Sequence, residues 1–348
     1  MKSTKSIDKG DKLKFRQLSF LVGLCGLLLV LAAGCGSSSG SGGGSVKLNL
    51  VAYSTPAEVY AKLIPAFNKT SAGKGVGFNQ SYGASGDQSR AVAAGQPADV
   101  VHFSLEPDMD RLVQAKLVSS NWDQNQFHGF VANSVVVFIV RKGNPKHIEN
   151  WSDLTKPGVQ VVTPNPFTSG GARWNIMAAY GAQLKLGRSS SQAEQYLAQL
   201  FKNVVVQPDS ARDALQTFVG GKGDVLLDYE NDAILAQEKN EPVDYVIPKQ
   251  TILIQTPAAV TSNTSHAKQA KAFLNFLWSQ QGQQILADNG YRPVLQGVTS
   301  SKYSYPTPPQ LFDINYVGGW DSVMTKFFDP TNGIVAKIEQ SNGVSTGG

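Results

Sequence analysis

From residue 46 onward, short apolar runs alternate with stretches whose apolar residues recur every three or four positions. The run 46–53 (VKLNLVAY) predicts a strand, and 55–68, with Val59, Leu63 and Phe67 on one face, predicts a helix. The same reading predicts extended segments at 76–82, 99–103, 134–141 (SVVVFIVR), 159–163, 204–207, 224–227, 245–247 and 252–255. Helical spacing marks 88–95, 106–115, 172–186, 192–201, 211–219, 228–239, 267–279 and 281–289, with a short helix at 151–154. After Arg292 the chain is rich in proline and glycine, with one late helix expected at 322–328. Strand–helix alternation without an internal repeat predicts an α/β chain, its sheets mostly parallel and covered by helices.

Upstream of residue 46 the pattern is different. Lys2, Lys5, Lys9, Lys12, Lys14 and Arg16 stand against Asp8 and Asp11, and residues 18–31 are almost wholly apolar. A basic segment, a short apolar core and small residues make a secretory signal over 1–34, too short to be read first as a membrane span. The segment ends Leu31-Ala32-Ala33-Gly34-Cys35, which resembles the lipobox of bacterial lipoproteins. By that resemblance Cys35 is lipidated and becomes the first mature residue, and 35–45 is a flexible Gly/Ser tether. The alternative is an uncleaved anchor helix. Both readings put the folded part outside the cytoplasmic membrane.

The formal charge of +5 falls to +1 once the six basic and two acidic residues of the leader are removed (5 − 4). That balance gives no basic footprint for nucleic acid. Cys25 lies in the leader and Cys35 at the tether, so no cysteine remains for a disulfide, a metal or a thiol nucleophile. His102, His128, His147 and His266 are scattered, without the spacing of a zinc helix. A secreted hydrolase would need a nucleophile elbow, and the chain has no Gly-x-Ser-x-Gly; His102 and His128 have no acid at a recognisable spacing. Gly220-Gly221-Lys222-Gly223 lacks the Ser or Thr of a phosphate-cradling loop and reads as a turn. No cofactor or metal is implied, and the chain is expected to bind rather than catalyse.

Four strand-to-helix junctions share one chemistry: Thr55-Pro56-Ala57-Glu58, Ser85-Gly86-Asp87-Gln88, Ser169-Gly170-Gly171-Ala172 and Ser210-Ala211-Arg212-Asp213. Each is a capping signal, and any one of them is explained by ordinary capping. Together they say more. Ligands of open α/β sheets bind where strand ends meet helix starts, and helix starts expose unpaired N–H groups and positive partial charge. Gly83, Gly86, Gly170 and Gly171 permit close approach of an oxyanion, and the serines add hydroxyl donors.

Several stretches resemble the sulfate/thiosulfate-binding proteins that feed bacterial ABC importers. They are Ser81-Tyr82-Gly83-Ala84-Ser85-Gly86, Val140-Arg141-Lys142-Gly143-Asn144-Pro145, Trp151-Ser152-Asp153-Leu154 and Lys156-Pro157-Gly158-Val159. The longest runs from Thr163-Pro164-Asn165-Pro166 through Ser169-Gly170-Gly171-Ala172-Arg173-Trp174-Asn175. Phe201-Lys202-Asn203-Val204, Gly223-Asp224-Val225-Leu226, Tyr229-Glu230-Asn231 and Tyr291-Arg292-Pro293 follow in family order. The resemblance implies a two-lobed periplasmic-binding-protein-like fold with a ligand cleft between lobes. It also implies a dehydrated anion held by uncharged donors: the hydroxyls of Ser85 and Ser169, and backbone N–H groups of Gly170, Gly171, Ala172 and Ala211. Where the family carries a tryptophan donor this chain has Tyr229, and where it carries an aspartate this chain has Ser54. Tyrosine moves the donor; serine keeps the backbone N–H and removes a carboxylate. No acid is expected at these contacts. Arg173 and Arg212 are read as buttresses of helix starts, or as partners of acids such as Asp209 or Glu230.

The expected division is lobe one at 46–132 and 258–310, lobe two at 133–257 and a C-terminal tail at 311–348, with crossovers at 134–140 and around 255–260. The implied partners are sulfate or thiosulfate, the permease and ATPase of an ABC importer, and the membrane through the lipid on Cys35; the chain is expected to act as a monomer. The same architecture for another tetrahedral oxyanion, such as molybdate or phosphate, stays open, as does an adhesin or structural lipoprotein.

Overall fold

The computed structural model describes residues 46–344 and 346. The signal segment, Cys35 and the tether lie outside the described residues. In chain order the elements are β1 (Lys47–Tyr53), α1 (Ala57–Asn68), β2 (Gly77–Gly83), α2 (Ser85–Ala93), β3 (Val100–His102), α3 (Glu106–Gln114) and β4 (Phe130–Arg141). After a 3₁₀ turn (Trp151–Thr155) come β5 (Val161–Val162), α4 (Gly170–Lys185), α5 (Ser190–Lys202), β6 (Val204–Val206), α6 (Ala211–Val219), β7 (Val225–Tyr229) and α7 (Glu230–Glu238). Then follow β8 (Val243–Val246), β9 (Gln250–Val260), α8 (Ala267–Leu277), α9 (Gln280–Ala287), β10 (Gln310–Phe312), a second 3₁₀ turn (Ile314–Val317), α10 (Gly319–Phe328) and α11 (Ile334–Ser341).

The strands run β2-β1-β3-β9-β4-β7-β5-β6, with β10 beside β9 and β8 beside β4. Each end of this path is parallel: β2, β1 and β3 in one half, β7, β5 and β6 in the other. The middle is antiparallel, because β4 and β9 each serve both halves. β9 pairs β3 through Ala258–Val260 and β4 through Leu253–Pro257; β4 then pairs β7 through Val136–Val140. The expectation of mostly parallel sheets therefore holds for the outer strands of each half, and the joining strands depart from it. Long extended strands are the economical way to pass twice between halves; β4 is apolar along 135–140, whereas Gln250, Thr251, Gln255 and Thr256 interrupt the apolar residues of β9.

Each half has its own core. Leu48, Leu50, Val59, Leu63, Phe67, Phe273 and Leu277 pack together in the first. Phe138, Trp151, Trp174, Met177, Leu197 and Phe327 belong to the second. α1 buries one stripe, Val59, Tyr60, Leu63 and Phe67, as its period requires. α4 is buried on every side from Gly170 to Gln183, so it shows almost no amphipathic pattern.

The tail is more structured than its proline and glycine content suggested. The late helix starts earlier, at Gly319, and α11 and β10 were not anticipated. Trp320 packs edge-on against Trp174 at 4.7 Å and Phe327 against Tyr180 at 4.8 Å, which seats the tail on the second half. Such aromatic pairs contribute about 0.5–1.5 kcal/mol beyond their buried area.

Candidate functional site

Three pairs of strand ends meet across the seam between the halves. The segment after β2 meets the segment after β5, where the N–H of Gly86 donates to the carbonyl of Thr168 at 2.9 Å. The segment after β3 meets the end of β7, where Ser104 Oγ and the Tyr229 hydroxyl lie 2.6 Å apart. The segment after β1 meets the start of α6 after β6, where the N–H of Arg212 reaches Ser54 Oγ at 3.3 Å. Ser54, Ser85, Ser169, Gly170, Gly171, Ala172, Ala211 and Tyr229 all sit on these carboxyl-end segments, which is the position at which open α/β sheets take ligands.

The caps divide by half. Ser169 caps α4 and accepts from the N–H of Ala172 at 3.4 Å. Ser210 caps α6, accepting from the N–H of Asp213 at 3.1 Å and donating to its carboxylate at 2.6 Å, which leaves Ala211 as the first helical residue. In the first half the expected caps do not form. α1 begins after Pro56 without a side-chain cap, and the carbonyl of Thr55 accepts from Arg212 instead. Ser85 is itself the first residue of α2. Its hydroxyl donates to Asp108 Oδ2 at 2.7 Å and accepts from the N–H of Ser104 at 2.9 Å. The Ser85 hydroxyl, implied by the resemblance as a donor to the anion, is thus engaged with the carboxylate of Asp108, an acid outside the contacts expected from the sequence. A carboxylate is a stronger acceptor than the alternatives, so it takes the one serine proton. Asp108 is turned to Ser85 and to Arg111, whose Nη1 lies 3.0 Å from Oδ1.

The glycines at the start of α4 are required by what packs on them. A Cβ on Gly170 would lie 2.6 Å from Ser104 Oγ and 2.8 Å from Leu105; one on Gly171 would lie 2.8 Å from the Tyr229 ring. First-turn N–H groups have no acceptor within their own helix, so Gly170 and Gly171 present donors beside Tyr229 and Ser104. Burial raises the Tyr229 hydroxyl well above its ordinary value, so it remains a neutral donor.

The two arginines behave as buttresses, with partners other than those expected. Arg212 binds Glu58 at 2.8 Å and Asp232 at 3.3 Å, and donates to the carbonyl of Thr55 at 2.8 Å, so its charge is spent across the seam. Glu230 pairs with Arg292 instead. Arg173 Nε donates to the carbonyl of Pro166 at 2.8 Å, and its guanidinium lies over Phe328. His102 is a core residue: burial lowers it to about 3, and it bonds the hydroxyls of Tyr60 and Thr256. A neutral histidine engaged on both nitrogens is no general base for a serine.

Sequence reasoning missed Ser104, Asp108 and Thr168. Ser104 had a usable signal, since it stands between a strand and Glu106-Pro107, the same kind of junction as the four singled out. Asp108 had none, because its approach to Ser85 depends on how α3 packs against α2.

Two α/β halves joined by two crossover strands, with helix starts converging on the seam, define the class of two-lobed solute-binding proteins. Residues 48–292 match the family model described as bacterial extracellular solute-binding protein, and the chain belongs to that family. It is 41% identical over 327 residues to the sulfate-binding protein of Synechococcus elongatus, covering 90% of this chain and 93% of that one. It is 35% identical to the thiosulfate-binding protein of Pseudomonas aeruginosa over 327 residues, covering 90% and 98%. Among solved structures, the sulfate-binding protein SubI from Mycobacterium tuberculosis H37Rv superposes with a TM-score of 0.79 at 44% identity, covering 82% of this chain and all of that one.

Proposed function

We propose that this chain captures sulfate or thiosulfate between its halves and delivers it to an ABC importer, without catalysis. The observation that carries this reading is the convergence of uncharged donors at the seam: the starts of α4 and α6, the N–H of Ser85 and Ser54, and the hydroxyl of Tyr229, beside an arginine already neutralised by carboxylates. Sulfate at neutral pH is fully ionised and only accepts hydrogen bonds, so donors alone satisfy it. Hydrogen phosphate brings a proton that would face a donor, at a cost of about 1–3 kcal/mol when buried. The names of the relatives point the same way.

An anion held by both halves shifts the population toward the closed form, which then docks on the permease. In this reading the lobes divide at 46–132 with 258–310 and at 133–257, Cys35 carries a lipid, and the chain works as a monomer tethered outside the cytoplasmic membrane. Calorimetric titration of the delipidated protein with sulfate, thiosulfate, phosphate and molybdate tests the proposal. Saturable binding of the sulfur oxyanions is expected, with Ser169→Ala weakening it strongly in a folded protein. Preference for phosphate or molybdate would replace this reading with the other-oxyanion one.

A further inference from the structure

Ser85 has a single proton and gives it to Asp108. Its oxygen receives the N–H of Ser104. Ser104 therefore stands next in a line that runs from a buried carboxylate to the seam, and it ends on Tyr229 of the other half.

Ser104 Oγ and the Tyr229 hydroxyl hold two protons between them, and only one can lie in the 2.6 Å contact. Both residues are 1% exposed, and among the described residues neither hydroxyl has another partner. One buried O–H is thus left without an acceptor, which is unfavourable unless something supplies one. A phenol is more acidic than an aliphatic alcohol, hence the stronger donor and weaker acceptor. Tyr229 therefore donates to Ser104, and the free proton is the serine's. The same oxygen lies 2.6 Å from the position a Cβ of Gly170 would take, directly over the start of α4. The serine is also held in place on both sides of its Cα: its N–H is on Ser85 and its carbonyl accepts from Trp174 Nε1 at 2.9 Å. A donor fixed in this way loses little freedom on binding.

The geometry assigns to Ser104 the role of hydroxyl donor from the first half to the bound oxyanion, polarised by Tyr229 and placed by Ser85 and Trp174. The inference rests on the oxyanion reading above and refines it: the hydroxyl donor shifts from Ser85 and Tyr229, the residues implied by the resemblance, to Ser104, and Tyr229 acts through it.

The test is calorimetric titration of sulfate into the wild-type chain and into Ser104→Ala, Ser104→Cys, Tyr229→Phe and Ser85→Ala, with circular dichroism to confirm folding. Ser104→Ala is expected to weaken sulfate binding roughly 10- to 100-fold, the range for losing a hydrogen bond to a charged group. Ser104→Cys, similar in shape but a weak donor, should fall with it. Tyr229→Phe should lose less, because Ser104 keeps its proton. Wild-type binding with Ser104→Ala within about threefold of it would overturn the assignment alone, as would full affinity in Ser104→Cys, which marks packing. A larger loss in Tyr229→Phe than in Ser104→Ala would make the tyrosine the contact and overturn it too. A folded wild-type chain that binds no sulfate would remove the parent reading, and this one with it.

Discussion

The backbone N–H of Gly86 donates to the carbonyl oxygen of Thr168 at 2.9 Å, joining the first turn of α2 to the segment before α4 across the seam. The contact needs glycine for reasons of space: a Cβ there would lie 2.8 Å from that same oxygen. Gly86→Ala is therefore expected to keep the halves apart and weaken sulfate binding by roughly tenfold or more. Each half retains its own core, so the melting temperature of the free protein should barely move. Titration and a thermal melt on one preparation check both statements; an alanine variant with wild-type affinity would show the contact to be dispensable.

Gly170→Ala probes the same closure from the other side. Its Cβ would meet Ser104 Oγ at 2.6 Å, Ser104 Cβ at 2.7 Å and Leu105 at 2.8 Å, all carried by the first half. Small-angle scattering should then report a larger radius of gyration than wild type even in excess sulfate. A compact profile identical to wild type would mean that the seam absorbs the methyl.

Arg212→Met removes a cation that lies between Glu58 and Asp232, and the Asp232 carboxylate has no exposed surface. Leaving a buried charge without its partner costs about 3 kcal/mol. Burial, partly opposed by Arg212, already lifts Asp232 to about 6. Without the arginine it rises further, so below pH 6 the carboxyl is neutral and the penalty shrinks. Urea unfolding at pH 8 and pH 5 should show a larger loss at pH 8; equal losses would place the defect elsewhere.

Glu339 on α11 is buried, with one oxygen accepting from Gln207 Nε2 at 2.6 Å and the other without a partner among the described residues. Burial lifts it from 4.5 to about 7, with Gln207 opposing the shift. Between those values the folded chain holds a proton that the unfolded chain releases, so this group's contribution falls as pH rises from 4.5 to 7. Glu339→Gln removes that dependence. It should stabilise the protein relative to wild type above pH 7 and change little below pH 4.5, as read from melting temperatures across the range. A difference that is independent of pH would reject the assignment.

Periodicity and turn residues located nearly every strand and helix between residues 46 and 290; the helices carry their own period, and the short strands β3, β5 and β6 stand out as apolar runs between them. They did poorly where tertiary context decides. α11 and the start of α10 were hidden in a tail whose prolines and glycines interrupt its apolar period, and packing on α4 and α5 orders them. Capping chemistry was legible at Ser169 and Ser210, where the serine has no better partner than its own helix. It misled at Ser85, where a buried carboxylate 23 residues away takes the proton.

By itself the sequence determined the alternation of elements, the placing of small and hydroxyl residues at the carboxyl ends of parallel strands, and the long apolar run at 134–141 that helps join the halves. All of these are local, since they depend on backbone propensity, side-chain period and chain direction. The tertiary structure decided which strand ends face one another, which carboxylates neutralise Arg212, and where each hydroxyl sends its proton. Those outcomes depend on distances between groups far apart in the chain. A hydrogen bond or an ion pair forms only when packing has brought its partners within about 3 Å, a length that no one-dimensional pattern encodes.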